Sequence, residues 1–234
     1  MFLTRARIDQ PQNLPAYVRK LPVVQTIIKR PLEFTEPITI FTGENGTGKS
    51  TVVEALAAAM GANSEGGSKH ARFSTTPESH SPLSQHVVCT RRENPRDVFF
   101  VRGESFLNLA NFYASMIDPL NDLPTLSHGQ SLMRVFRYRL GSQGLFFLDE
   151  PEDGLSVFRQ LELLGILYHL AKGGSQIIMA THSPVLLGIP GAHILSVENG
   201  LQATAFNLCE AVIAHRELID DPHGTIRYLL GDDQ

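Results

Sequence analysis

The apolar positions of this chain fall into short blocks whose internal spacing changes from one block to the next. In the C-terminal half the change is regular. Residues 144–148 form a compact apolar run, residues 156–172 space their apolar side chains at helical intervals, and residues 176–180 form a second run. A short helix near 184–188 and a strand over 193–197 continue the series. Strand and helix alternating at these lengths predict an α/β fold with a mainly parallel central sheet covered by helices. The turn Glu198-Asn199-Gly200-Leu201 predicts a late hairpin, and 208–231 reads as helical.

The N-terminal half is less regular. Residues 2–9 alternate weakly, as a short strand does. Pro11, Pro15, Pro22, Pro31 and Pro37 punctuate the next stretch, which predicts strands and turns, an antiparallel β region ahead of the apolar run Ile38-Thr39-Ile40-Phe41. Residues 50–60 read as a helix. Residues 61–86 are rich in Gly, Ser, Thr and His without any period and predict a long loop. Residues 97–101 predict a buried strand, and 105–117 and 130–140 predict helices. A single domain over 1–234, with a small helical subdomain inserted at about 104–142, accommodates these elements.

The run at 38–41 delivers the chain to Gly43-Glu44-Asn45-Gly46-Thr47-Gly48-Lys49-Ser50, a complete G-x-x-x-x-G-K-[ST] phosphate loop. Ser50 and Thr51 open the helix behind it. The three glycines free the backbone to turn successive N–H groups inward, and the helix N-terminus adds partial positive charge. Lys49 is placed to reach β- and γ-phosphates, and Ser50 to complete a Mg²⁺ shell. Strand, loop and helix in register predict a P-loop chain that binds a nucleoside triphosphate.

Three further groups extend this chemistry. Asp149 and Glu150 end the 144–148 run. Ligands of a parallel sheet sit off the carboxyl ends of its strands, so both acids face the crevice of the phosphate loop. Asp149 suits Mg²⁺ or its water, and Glu150 suits a base that polarises an attacking water. His182 follows the run at 176–180, where it can contact a γ-phosphate. Ser127, 22 residues before Asp149, is an N-cap candidate whose helix offers free N–H groups to an anion.

Composition narrows the setting. With 42% hydrophobic residues and a formal charge of −4, the chain has a core but no global basic field. Arg5, Arg7, Arg19, Lys20, Lys29 and Arg30 do make the N-terminal part basic. Cys89 and Cys209 lie far apart without metal-ligand spacing, as buried thiols do in a reducing cytoplasm. No apolar run approaches the ~18 residues of a membrane span, and the N-terminus lacks a signal-peptide core. A cytoplasmic protein without membrane insertion is expected.

In this order the elements resemble the ATP-binding-cassette (ABC) class of ATPases over nearly the whole chain. Residues 43–51 are similar to Walker A, and Leu126-Ser127-His128-Gly129-Gln130 to the Leu-Ser-Gly-Gly-Gln signature. Leu145 to Glu150 is similar to Walker B with its glutamate, and His182 to the switch histidine. Asp149-Glu150-Pro151-Glu152, Ala180-Thr181-His182-Ser183-Pro184, and Asn63 to Ser68 with Arg72-Phe73-Ser74 resemble stand-alone ATPases related to Rad50, SMC, RecF and OLD-type heads.

The resemblance implies ATP and Mg²⁺ as ligands and hydrolysis to ADP and phosphate, with Lys49, Glu150 and His182 in catalysis. It also implies a head-to-tail homodimer that sandwiches two ATP molecules, Ser127, Gly129 and Gln130 of one subunit completing the site of the other. Three positions depart from the pattern. His128 replaces the first signature glycine, which is tolerable with its side chain turned away from the nucleotide. Ser156 stands where a D-loop aspartate is expected. The Q-loop glutamine has no clear counterpart, and Glu104 is the nearest candidate metal ligand. Tyr17 and Phe34 are positional candidates for an aromatic stack on adenine.

Three roles compete. A stand-alone switch would control a protein effector such as a nuclease or toxin, with nucleic-acid processing as its nearest relative in function. A DNA-acting head would have to bind through the head itself, since 75 residues between Ser50 and Leu126 are too few for long coiled-coil arms. A transporter's nucleotide-binding subunit is the third. The stand-alone switch is the favoured expectation.

Overall fold

The computed structural model describes residues 1–63, 66–68, 81–103, 106–116, 120 and 122–231. β1 (Leu3–Ile8) leads through a 3-10 turn at Pro11–Asn13 into two short helices, α1 (Ala16–Arg19) and α2 (Pro22–Lys29). These helices replace the strands expected in the proline-punctuated stretch. Pro22 opens α2, where a missing N–H breaks no helical hydrogen bond, and Val23, Val24 and Ile27 bury one face.

β2 (Leu32–Glu33) and β3 (Ile38–Thr42) follow, then α3 (Lys49–Met60). Next come β4 (Gly67–Ser68), β5 (Val87–Arg91), β6 (Val98–Arg102), α4 (Phe106–Met116) and α5 (His128–Arg139). The C-terminal series is β7 (Leu145–Asp149), α6 (Val157–Lys172), β8 (Gln176–Ala180), α7 (Pro184–Leu187), β9 (His193–Ser196), β10 (Gln202–Ala203), α8 (Glu210–Asp220) and α9 (Pro222–Leu230). It matches the expected series to within a few residues.

The large sheet has the strand order β10-β9-β3-β8-β7-β6-β4. Its interior from β9 to β6 is parallel, and β4 and β10 pair antiparallel at the two edges. A smaller antiparallel sheet, β2-β1-β5, lies beside it. The chain is thus α/β, with the mainly parallel sheet and N-terminal antiparallel region expected.

Side chains of a strand alternate between its two faces, and the two cores follow that alternation. Ile40, Phe99, Phe146, Leu148, Ile177 and Met179 join the core that packs on α4 to α8. Their neighbours Phe41, Phe100, Phe147 and Ile178 join a second core with α2, α3 and the small sheet. Every residue of β3, β7 and β8 is therefore buried, which is why these strands read as continuous apolar runs.

Gln176 is one of the polar residues buried in these strands, and its side chain ties the two sheets together. Its Oε1 accepts from the Phe2 and Leu3 N–H groups at 2.8 and 2.9 Å, and its Nε2 donates to the Leu3 carbonyl at 2.8 Å. A fully buried amide with these bonds satisfied costs little. Strand register then sets the site. Ala180 pairs with both Phe41 and Asp149, so β3, β8 and β7 end at one level.

Candidate active site

The phosphate loop turns on its glycines. Gly43, Gly46 and Gly48 have φ of 144°, 79° and 95°, in the region closed to most side chains, and Gly48 caps α3. A Cβ on Gly43 would also strike the Glu198 carboxylate beyond β9. That carboxylate accepts from the Glu44 N–H and, at 3.3 Å, from the Ser196 hydroxyl. Thr47 Oγ1 donates to the Glu44 carbonyl at 2.8 Å. Lys49 is buried, and its Nζ donates to the carbonyls of Gly43 and Glu44, each at 2.7 Å. Burial lowers the Lys49 pKa, while the charges of Glu150, Glu198 and Asp149 oppose that fall.

Ser50, Arg102, Asp149 and Glu150 line a cleft of about 220 Å³ beside the loop. Arg102 is the neighbour of Asp149 in the β6–β7 ladder, and its Nε donates to Asp149 Oδ2 at 3.2 Å. Burial pushes the Asp149 carboxyl up to about 6; Arg102 and the Ser50 hydroxyl counter this, and the charge of Glu150 adds to it. Among the described residues Asp149 Oδ1 is buried without a hydrogen-bond partner. An unsatisfied carboxylate oxygen and a serine hydroxyl on one small polar cleft fit a hard divalent cation such as Mg²⁺.

Glu150 leaves β7 at φ 48°, a left-handed conformation rare outside glycine, and its N–H donates to the Ala180 carbonyl at 3.0 Å. Its Oε1 stands 3.2 Å from His182 Nε2. Glu152 holds the segment that carries the histidine. Its Oε1 accepts from Thr181 Oγ1 at 2.6 Å and from the N–H groups of His182 and Ser183 at 2.8 and 3.1 Å. Burial raises the Glu152 pKa, and these donors pull against the rise.

The signature segment opens α5 and packs against Gly154. Ser127 caps α5 in a reciprocal box: its Oγ accepts from the Gln130 N–H at 3.4 Å, and Gln130 Oε1 accepts from the Ser127 N–H at 3.0 Å. Both residues are exposed. Gly129 packs against the Gly154 carbonyl, where a Cβ would come to 2.8 Å. The His128 ring leans edge-on against Phe106, with centroids 5.3 Å apart, and occupies the space beside Gly154. The histidine in the glycine position is therefore taken up by packing within the chain.

Two family models match. One, described as "AAA domain, putative AbiEii toxin, Type IV TA system", covers residues 109–188, and one described as "AAA domain" covers 25–105. The cytochrome c biogenesis ATP-binding export protein CcmA of Bartonella henselae is 30% identical over 184 residues, 72% of this chain and 85% of that protein. This chain belongs to the ATP-binding-cassette ATPases. The Bartonella quintana protein of the same name is 27% identical over 180 residues, covering 70% of this chain and 83% of its own. Among solved structures, the SMC head domain from Thermotoga maritima aligns with a TM-score of 0.45 and 14% identity, over 87% of this chain and 98% of that one.

As a member of this family the chain is an ATP-hydrolysing enzyme. Its fold brings Lys49, Ser50, Asp149, Glu150 and His182 to one end of the sheet and leaves Ser127 and Gln130 exposed. Ser156, in the D-loop position, caps α6. Glu104, Arg72, Phe73 and Ser74 lie outside the described residues. Phe34 is 2% exposed inside the second core and is not free to stack on adenine, whereas Tyr17 on α1 is 68% exposed.

Sequence reasoning missed Arg102, Glu54, Glu152 and Glu198. Glu152 alone carried a signal, as the fourth residue of Asp149-Glu150-Pro151-Glu152. Among the described residues no helix is long and apolar enough to cross a membrane.

Proposed function

We propose that this ATPase works as an ATP-driven switch, closing with a second copy of itself around two Mg-ATP molecules and reopening on hydrolysis. The observation that carries the reading is that Ser127 and Gln130 of the signature face solvent, each side chain bonded to the other residue's backbone. The loop, the acids and His182 share one crevice. A γ-phosphate in that crevice would lack the signature N–H groups unless a second chain supplied them.

In this mechanism the N–H groups of residues 43–51 and Lys49 bind the phosphates, Lys49 leaving the loop carbonyls it now holds. Ser50 and Asp149 would hold Mg²⁺, which would supply neutralisation of phosphate charge. Glu150 takes a proton from the attacking water, and His182 fixes the carboxylate and faces the γ-phosphate. The exposed N-terminus of the partner's α5 stabilises the charge on that phosphate, and closure excludes bulk water. The output is a change of association that a protein effector, such as a nuclease or toxin, or nucleic acid would sense.

A second reading rests on the 30% identity to a protein named as an ATP-binding export protein, which favours a transporter's nucleotide-binding subunit. Copurification with a membrane protein would support it.

Complementation tests the switch. Lys49→Ala and Ser127→Arg should each be inactive, and Lys49→Ala should also lose ATP affinity by at least about tenfold. Mixed, the two should recover activity, since the intact loop of one chain meets the intact signature of the other. Two inactive variants that stay inactive on mixing would contradict the shared site.

A further inference from the structure

Among the described residues Arg102 is the cation that forms an ion pair with the carboxylate at the end of β7, and it is held from both sides. Its Nε donates to Asp149 Oδ2 at 3.2 Å and its Nη2 to Glu54 Oε2 at 2.5 Å. Asp149 and Glu54 side chains are 4% and 6% exposed, so neither anion has much water to turn to. Glu54 is anchored in turn, its Oε1 accepting the Ser81 N–H at 3.0 Å. The guanidinium lies 5.8 Å from the Phe100 ring centroid and lines the same cleft as Ser50, Asp149 and Glu150.

We propose that Arg102 is a positioning residue that stands in for the divalent cation. Its guanidinium neutralises and orients Asp149 while the cleft holds no metal. An arriving cation takes the unpartnered Oδ1 and draws the carboxylate away from Arg102, and Glu54 keeps the guanidinium in place when it does. Two features of the geometry support this division. The longer contact is the one to Asp149 and the shorter is to Glu54, so Asp149 is the partner more easily surrendered. A forked, planar cation can let go of one carboxylate and keep the other, which a point charge on a flexible stem does less well. The inference rests on the proposed role of Asp149 and Ser50 in metal binding, and it makes Arg102 and Glu54 act on the metal with opposite signs. Removing Arg102 removes a competitor. Neutralising Glu54 leaves Arg102 with only one anion to hold.

The test is Mn²⁺ titration, followed by electron paramagnetic resonance, of the full chain saturated with ADP. Arg102→Met should bind Mn²⁺ about tenfold more tightly than wild type, and Glu54→Gln should bind it more weakly by a similar factor. Arg102→Lys, which keeps the charge without the fork, should fall between wild type and Arg102→Met. Thermal melting in EDTA should show Arg102→Met less stable than wild type without metal, with the gap narrowing as Mn²⁺ is added. Weaker Mn²⁺ binding in both Arg102→Met and Glu54→Gln would mean that the network only braces the site, and would overturn the proposal. If Arg102→Met fails to fold, Arg102→Lys and Glu54→Gln decide it alone, and equal losses in both would overturn it. Absence of Mn²⁺ binding by ADP-loaded wild type would instead overturn the metal site itself.

Discussion

Glu150 Oε1 and His182 Nε2 stand 3.2 Å apart, although 32 positions separate the two residues along the chain. Level strand ends explain half of this, because Asp149 pairs with Ala180 and the next residues leave β7 and β8 side by side. Local backbone explains the rest. Glu150 takes a left-handed turn at φ 48°, an arrangement costing about 1 kcal/mol, and so aims its carboxylate across at His182.

A carboxylate fixed this way suits a general base. Glu150→Gln should keep ATP affinity within a few-fold of wild type and lose turnover by about 10²–10⁴, the range for removal of a positioned base. Steady-state hydrolysis alongside equilibrium ATP binding checks both halves. Unchanged turnover would place the base elsewhere.

Glu152 supports that pair from behind, since one of its oxygens accepts from three donors on residues 181–183. Glu152→Ala would leave those donors without an acceptor and should destabilise the fold by about 1–3 kcal/mol. Turnover should fall as His182 loses its position. Glu152→Gln retains an acceptor oxygen and should stay close to wild type in stability. Chemical denaturation of the two variants separates them, and equal losses would mean that the negative charge is what the segment needs.

Cys89 and Cys209 should be slow to alkylate in the folded protein. Burial pushes the Cys89 thiol up to about 11 against the opposing charge of Arg91, and burial raises Cys209 too. The thiolate is the reactive form, so at pH 8 Cys89 should react about a hundredfold more slowly than an ordinary thiol, and faster as pH rises toward 11. Iodoacetamide labelling read by mass spectrometry, with a denatured control, measures this. Rapid labelling of the native protein at pH 8 would show the thiol to be open.

The sequence made one half of the site legible and concealed the other. Leu145 to Asp149 announces itself because both faces of β7 are buried and its acid falls where the strand ends. The phosphate loop is equally legible, since its glycines answer a local backbone demand. Arg102 carries no such signal. It meets Asp149 only through the parallel register of β6 on β7, and Glu54 only because α3 packs near that end of the sheet. Glu198 likewise reaches Gly43 and Glu44 because β9 is the neighbour of β3. α1 and α2 were hidden by their prolines, which punctuate strands and start helices alike. β5 was hidden because its pattern is only half-buried.

ATP should join two copies of this chain. Light scattering of Glu150→Gln, with and without Mg-ATP, tests it most directly, because slowed turnover should trap the closed state. A monomer is expected without nucleotide and a doubled mass with Mg-ATP, abolished by adding Ser127→Arg. An unchanged monomeric mass at an ATP concentration shown by titration to saturate the site would contradict it.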